Sequence, residues 1–232
     1  AGLRPQVLGD MKGEKGLEVR DLPEMKLEGG EVTFTAIPTM VVVRPELSKA
    51  RHKYFTFLTS EGCEYLKAYL EKRLAMGERL GPRSAVIAVR PGYEGSGFRE
   101  RGGASGHITT KAITKEIRKA MRPRFQWRPY VLRAYFDTQL MVAENHGKIS
   151  HAYRQFFMGH KGDIEARYTT NKGRLPRDVI EDMRRSFAAC EEYLSTRPRG
   201  QEDPELTTIR TMVESGVLDL SKPKVRQYLI RK

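Results

Sequence analysis

The chain has 232 residues, of which 39% are hydrophobic and 31% are charged, a balance typical of a folded globular protein rather than a disordered one. Its 42 Lys and Arg residues outnumber 29 Asp and Glu residues, giving a net charge of +13. Such a basic surface favours DNA or RNA over a membrane as the partner. No apolar run reaches the roughly 18 residues of a membrane-spanning helix and no signal peptide opens the chain, so we expect a cytoplasmic protein.

Cys63 and Cys190 are isolated in the sequence. Two cysteines are too few for a disulfide framework, and neither lies in a zinc-binding motif. We therefore expect both thiols to be buried in the core. The sequence contains no clustered Asp and Glu metal motif and no phosphate-binding P-loop.

The N-terminal part of the chain predicts a small sheet. Residues 5–15 are typical of the end of a helix followed by a glycine-punctuated loop, and Gly29-Gly30 predicts a turn. Three later segments are rich in β-branched or aromatic residues and are bounded by Gly, Pro or Ser. They predict a three-stranded antiparallel sheet made of Val32–Thr35, Met40–Val43 and Tyr54–Leu58.

Apolar residues at helical spacing predict five helices after the sheet. The first follows a cap at Thr59 or Ser60, and the second follows a cap at Thr109 or Thr110. The third begins at Pro129, because proline suits the first helical position. Its core face is predicted to carry Leu132, Phe136 and Leu140.

The fourth helix starts at Ser150 and is closed by Gly159, and the fifth is a single amphipathic helix from Asp178 to Leu194. Together with the short strands, these helices predict an α+β fold that is mainly α-helical. The residues after the fifth helix, from Arg197 to Pro204, have a composition typical of a linker. We therefore expect a main domain at 1–196 and a linker with a C-terminal tail at 197–232.

The stretch from Phe156 to Thr170 carries the clearest candidate chemistry. An apolar helix ends there at Gly159-His160, and Tyr168 follows eight residues after the histidine. A tyrosine beside cationic and imidazole groups can act as a covalent nucleophile. Free tyrosine has a pKa of about 10, so nearby positive charge is needed to stabilise its anion at neutral pH.

Cationic residues upstream complete the pattern. They are Arg4 in GLRPQVL, Lys49 before the last predicted strand, and Arg133 in the tetrapeptide YVLR that begins at Tyr130. Two arginines, a lysine, a histidine and a tyrosine resemble the active site of the tyrosine recombinase (phage integrase) family. The segment MGHKGDIEARYTT is most similar to integrases of archaeal viruses and plasmids. The resemblance covers Arg4 to about Thr170.

The resemblance implies a DNA transesterification that needs neither metal nor ATP. Tyr168 would attack the phosphodiester, forming a 3′-phosphotyrosyl bond and freeing a 5′-hydroxyl. Arg4 and Arg133 would grip the non-bridging phosphate oxygens, because a guanidinium matches two such oxygens and stays charged. Lys49 would protonate the leaving oxygen. His160 would donate a hydrogen bond to phosphate or orient the tyrosine.

Two assignments have competitors in the sequence. Lys53 is the alternative to Lys49 as the proton donor. His151-Ala152-Tyr153-Arg154 also matches the family's His-x-x-Arg box, but Gly159-His160 follows it too soon, which favours Arg133.

The chain departs from the family's pattern in three places. Tyr130 stands where the His-x-x-Arg box has histidine, and a phenol can donate to phosphate but is a poor general base near neutrality. Val7 replaces the carboxylate that commonly follows the first arginine by three residues. The spacing from His160 to Tyr168 is eight, where nine is more usual in bacterial members.

The run from Arg99 to Arg128 contains nine basic and two acidic residues. This excess is more than solubility needs and predicts a surface that follows the phosphate backbone. The predicted DNA contacts are Lys111 and Arg128 within the run, and Arg51 and Lys161 outside it.

The resemblance implies double-stranded DNA as the partner, a tetramer assembled on that DNA, and a nucleoid-associated enzyme in a prokaryotic host. The family's N-terminal DNA-clamping domain has no counterpart here, so we interpret the chain as a catalytic-domain fragment. The tail at 205–232 is expected to dock on a neighbouring protomer. A type IB topoisomerase and a non-catalytic DNA-binding fragment are the alternative hypotheses.

Overall fold

The computed structural model of the chain describes residues 1–89, 106–160 and 175–197. The chain separates into two compact units, Ala1–Leu194 and Ser195–Lys232, and the second lies almost entirely outside the described residues. The described part of the first unit is α+β, as the sequence predicts. None of its helices is both long enough and apolar enough to cross a membrane.

Helices contribute most of the regular structure in the described residues. They form seven α-helices: α1 (Pro5–Leu8), α2 (Ser60–Ala75), α3 (Thr110–Met121), α4 (Val131–Asn145), α5 (His151–Phe157), α6 (Arg177–Ala188) and α7 (Glu191–Leu194). A short 3-10 helix covers Val19–Asp21. The strands are β1 (Met25–Glu28), β2 (Glu31–Phe34), β3 (Thr39–Val43) and β4 (Tyr54–Leu58).

The strands form two separate antiparallel hairpins, so the prediction of a single three-stranded sheet is wrong. The strand β1 was not predicted from the sequence, and it pairs with β2, whereas β3 pairs with β4. The outer edge of β3 is closed to β2 because its Met40 N–H donates to the Glu24 carboxylate at 2.7 Å. Pro38, just before β3, has no N–H to offer a neighbouring strand.

Three predicted helix caps are confirmed. The side-chain oxygens of Thr59, Thr109 and Ser150 each accept a backbone N–H in the first turn of α2, α3 and α5. Each bond satisfies a donor that has no partner inside the helix. Gly159 ends the α5 segment with φ of +61°, a conformation that favours glycine.

Two helix predictions need correction. α4 begins at Val131 rather than Pro129, and Leu132 is 49% exposed instead of facing the core. Arg133 takes the inward position, in line with Phe136 and Leu140. The predicted single helix from Asp178 to Leu194 is divided, because α6 ends at Ala188 and α7 starts at Glu191.

Strand β4 contributes to two apolar cores. Successive strand residues point to opposite faces, so Tyr54 joins the core around α2 and the hairpins, and Phe57 joins the core around α4, α5 and α6. In the second core the rings of Phe57, Phe157 and Phe187 meet with centroids 5.3–5.6 Å apart. Cys63 and Cys190 are buried and free, as expected, and burial raises the pKa of each thiol to about 11.

His107 gives the first core a dependence on pH. Its ring packs against Gly16, so closely that a Cβ added to Gly16 would lie 2.7 Å from Nδ1 of His107. The pKa of His107 is lowered, chiefly by burial. The folded state therefore prefers the neutral ring. This stabilisation is complete above the unfolded pKa of about 6.5 and is lost as pH falls through the folded pKa.

We expect the free energy of unfolding to fall more steeply below pH 6.5 in the wild type than in His107→Gln. The steepest difference expected from one histidine is about 1.4 kcal/mol per pH unit. Urea unfolding at pH 7.5, 6.5 and 5.5 measures it. Parallel pH profiles for the two proteins would contradict the assignment.

Candidate functional site

Arg133, in the first turn of α4, connects three segments that are far apart in the sequence. It is only 4% exposed. One guanidinium nitrogen donates to the carbonyl of Gly2 at 2.5 Å, and another donates to the carbonyl of Met158. Arg4 and His160 each lie two residues beyond one of those carbonyls. The two hydrogen bonds therefore hold both residues beside Arg133.

Arg4 and Arg133 form a pair of positive charges that no carboxylate of the described residues neutralises. Among the described residues, no ion pair joins either arginine to Asp or Glu. The pKa of Arg133 is lowered, first by burial and then by the charge of Arg4, while the phenols of Tyr54 and Tyr130 oppose the change. Two guanidinium groups that repel each other create a position where an anion is stabilised.

His160 lies at the exposed end of the α5 segment. Its Nδ1 is 2.7 Å from Oε1 of Gln155, and with that oxygen as the acceptor Nδ1 is the donor. The pKa of His160 is lowered, first by burial and then by the charge of Arg133. At neutral pH the ring is therefore neutral, and its Nε2 carries a lone pair that can accept a proton.

Tyr54, the first residue of β4, packs beneath this cluster. Its phenol lies close enough to the Arg133 guanidinium for the two groups to interact electrostatically. Burial raises the pKa of Tyr54, and the charges of Arg133 and Arg4 only oppose that increase, so the phenol remains protonated at neutral pH. The ring of His52 lies 5.8 Å from the Tyr54 ring, which anchors the end of the β3–β4 loop beside the site.

Gly159 is required where the α5 segment crosses Tyr54. Its φ is +61°, and a Cβ there would lie 2.5 Å from Cζ of Tyr54. Gly77, after α2, also has positive φ, at +86°, but a Cβ there would meet nothing within 4 Å. The two glycines thus share a backbone requirement and differ in packing.

We expect Gly159→Ala to destabilise the fold more than Gly77→Ala. Both substitutions incur about 1–2 kcal/mol for positive φ, and Gly159→Ala adds about 1–3 kcal/mol for overpacking against Tyr54. Urea unfolding of both variants measures the difference. Equal decreases in the free energy of unfolding would show that the Tyr54 ring can move to accommodate the added methyl group without cost.

The competing His-x-x-Arg box has a different electrostatic environment. Arg154 lies 3.2 Å from Asp137 and 2.8 Å from Glu144, and His151 lies 3.1 Å from the same Glu144. Two carboxylates already balance the Arg154 charge. This guanidinium is therefore less available to an anion than that of Arg133, which pairs with no carboxylate in the part of the chain that the structure describes.

The other site residues predicted from the sequence have fewer contacts with Arg133. Tyr130 is 62% exposed, one turn before Arg133. Lys49, Lys53 and Arg51 are exposed in the β3–β4 loop. Within the described residues, no hydrogen bond or ion pair links these three side chains to Arg133.

The predicted DNA contacts lie on two exposed segments. Lys111 is in the first turn of α3, and Thr110 next to it donates to the carbonyl of Gly9 at 2.5 Å, which ties that turn to the end of α1. Arg128 is exposed before α4. Lys161 and the predicted nucleophile Tyr168 lie outside the described residues.

The sequence analysis missed the side chains that support the cluster. Tyr54 and Gln155 were not predicted to have a role, although each touches a predicted site residue. The alternation of β4 indicates that Tyr54 is buried, but it gives no sign of its contact with Arg133, 79 residues later in the numbering of the chain. Gln155 has no sequence signal of its own.

The chemistry of the cluster is cationic and phenolic rather than metal-binding. Within the described ranges, no group of three or more His, Cys, Asp or Glu side chains is arranged to hold a metal ion. Two guanidiniums, a neutral imidazole and a buried phenol can bind an anion and accept a proton beside it. Comparison with protein-family models, with curated proteins and with solved structures finds no match for this chain.

Proposed function

We propose that the chain is the catalytic domain of a site-specific tyrosine recombinase, which cuts and rejoins DNA strands through a 3′-phosphotyrosyl intermediate. The observation that carries the proposal is the pair Arg4 and Arg133, which has no ion pair with a carboxylate of the described residues and is linked by hydrogen bonds to the segment that bears His160. Tyr168 follows eight residues later in the sequence.

The proposed reaction is an exchange of one phosphodiester bond for another. The Tyr168 oxygen attacks phosphorus, the bond from phosphorus to the 5′-oxygen breaks, and a tyrosyl ester replaces it. Nε2 of His160 accepts the phenol proton, and Lys49 donates a proton to the leaving 5′-oxygen. The positive charges of Arg4 and Arg133 stabilise the negative charge that develops on the phosphate oxygens.

The proposed substrate is double-stranded DNA, with integration or excision of a mobile element as the outcome. Lys111, Arg128, Arg51 and Lys161 would contact phosphates beyond the scissile one. The net charge of +13 supports a polyanionic substrate. Assembly of several protomers on DNA belongs to the same proposal, because strand exchange requires two duplexes.

The test is covalent capture on a nicked suicide duplex, followed by a denaturing gel. The wild type is expected to form a protein–DNA adduct, and Tyr168→Phe is expected to form none. Tyr65→Phe and Tyr153→Phe are matched controls that should retain the adduct, because neither tyrosine belongs to the proposed site. An adduct that persists in Tyr168→Phe would disprove the proposed nucleophile, and an adduct lost only in a control would assign the reaction to that tyrosine.

A further inference from the structure

A second candidate surface lies between α3 and α4. The rings of Phe125 and Trp127 stack there with centroids 4.6 Å apart and an interplanar angle of 22°. Both rings reach the surface, and Trp127 is 56% exposed. We call residues 122–130 the aromatic loop. Exposed stacked rings of this size are uncommon on a surface that has no partner.

The aromatic loop is also strongly cationic. Arg122, Arg124 and Arg128 are all exposed, and the guanidinium carbon of Arg124 lies 5.5 Å from the centre of the Phe125 ring. No Asp or Glu occurs in the sequence between Glu116 and Asp137. A second copy of this surface would be repelled, whereas a polyanion with flat apolar groups would be complementary to it.

Backbone constraints hold the aromatic loop in shape. The N–H of Phe125 donates to the carbonyl of Met121 at 2.9 Å, and the N–H of Val131 donates to the carbonyl of Arg128 at 2.9 Å. Pro123 near one end of the loop has a fixed φ, as does every proline. An element that is already ordered loses little entropy when a ligand stacks on it.

We propose that the aromatic loop binds unpaired nucleobases of DNA. The exposed face of Trp127 stacks on a base, and Arg122, Arg124 and Arg128 contact the neighbouring phosphates. Aromatic rings between cations are the usual platform for single-stranded nucleic acid, because every base has a π-face. The proposal requires a base outside the duplex stack and goes beyond the proposed function, since it needs no strand cleavage.

The fluorescence of Trp127 can report on binding at the aromatic loop, because Trp127 is the only tryptophan in the chain. The full chain is titrated with a thymidine 12-mer and with a 12-base-pair duplex while tryptophan emission is recorded. Background Tyr168→Phe keeps the readout free of covalent chemistry. We expect the single strand to quench the emission at lower concentration than the duplex.

The contribution of stacking is measured by anisotropy of a labelled thymidine 12-mer. We expect Trp127→Ala to weaken binding by about 5- to 150-fold, and Trp127→Phe to retain most of the affinity. Tyr65→Ala is the matched control, because Tyr65 is an exposed aromatic residue on α2. Melting curves check that each variant is folded.

Three outcomes would overturn the proposal. They are equal quenching by single strand and duplex, equal affinity of Trp127→Ala and the wild type for the 12-mer, and an emission change that follows protein concentration without DNA. The last would assign the surface to self-association. Loss of the suicide-substrate adduct with normal quenching would refute the proposed function alone, and normal adduct without quenching would refute this inference alone.

Discussion

Arg133→Ala is expected to lower the rate of covalent adduct formation by about 10²–10³-fold, the usual effect of removing one donor from a site where negative charge develops. The same substitution removes the hydrogen bonds to the carbonyls of Gly2 and Met158. The segments bearing Arg4 and His160 then lose their common anchor. We expect the chemical and the positioning effects to appear together.

The stability of Arg133→Ala should fall as well. Each of the two carbonyl acceptors left without a donor costs about 1–3 kcal/mol. Arg133→Lys keeps a positive charge, but a single ammonium group lacks the planar fork that reaches two carbonyls. It should recover part of the stability and little of the adduct rate.

Arg154→Ala is the control for the loss of a partly buried arginine. This substitution breaks the ion pairs that Arg154 on α5 makes with Asp137 and Glu144 on α4. It should therefore destabilise the fold and leave adduct formation nearly unchanged. Adduct rates are compared at a temperature where melting curves show all variants folded. A folded Arg133→Ala that reacts at the wild-type rate, or an equal loss in Arg154→Ala, would contradict the role assigned to Arg133.

Local sequence signals account for much of the fold. The caps at Thr59, Thr109 and Ser150, and the stop at Gly159, depend on hydrogen bonds and backbone angles within a few residues. Such features can be read from the sequence because the groups that satisfy each other are neighbours. The two strands on either side of the β3–β4 loop were predicted for the same reason.

Features that depend on distant partners could not be predicted in this way. The sheet is divided because the Glu24 carboxylate accepts a hydrogen bond from the N–H of Met40. The sequence around residue 40 contains no signal that predicts this bond. Leu132 was predicted to face inward because an apolar residue normally outcompetes an arginine for the core. Arg133 is buried instead because carbonyls from two remote segments satisfy its donors.

In the candidate site, too, some residues could be predicted from the sequence and others depend on contacts between distant segments. The family resemblance drew attention to Arg4, Arg133 and His160, and the fold brings these three together. It did not single out Tyr54, whose role arises only when β4 packs against the α5 segment. Whether Lys49 joins the cluster is decided by the conformation of the β3–β4 loop rather than by spacing in the sequence.

Arg184→Met is expected to cause a large loss of stability without involving the candidate site. Arg184 is buried on α6, donates to Glu24 at 2.9 Å and to the carbonyl of Pro38, and lies over the ring of Phe57 at 4.9 Å. Burial alone would lower the pKa of Arg184, but hydrogen bonds to Glu24 and Glu181 raise it. Breaking such a pair leaves a buried charge and typically costs about 3–5 kcal/mol.

A double-mutant cycle separates the ion pair from the packing. Glu24→Gln should also destabilise, because the buried Arg184 guanidinium loses a charged partner, although the Gln side-chain oxygen can still accept the Met40 N–H. The double variant Glu24→Gln with Arg184→Met should lose less than the sum of the two single losses, because neither charge is then left unpaired. Urea unfolding of the four proteins gives the coupling energy.

Arg185→Met is the matched control, one residue along the same helix. Arg185 is exposed and pairs with Asp182 at 3.3 Å across one turn of α6. Its loss should change the free energy of unfolding by less than about 0.5 kcal/mol, because exposed ion pairs contribute little. If Arg184→Met were no more destabilising than Arg185→Met, burial and the link to Glu24 could not be what holds α6 against the hairpins.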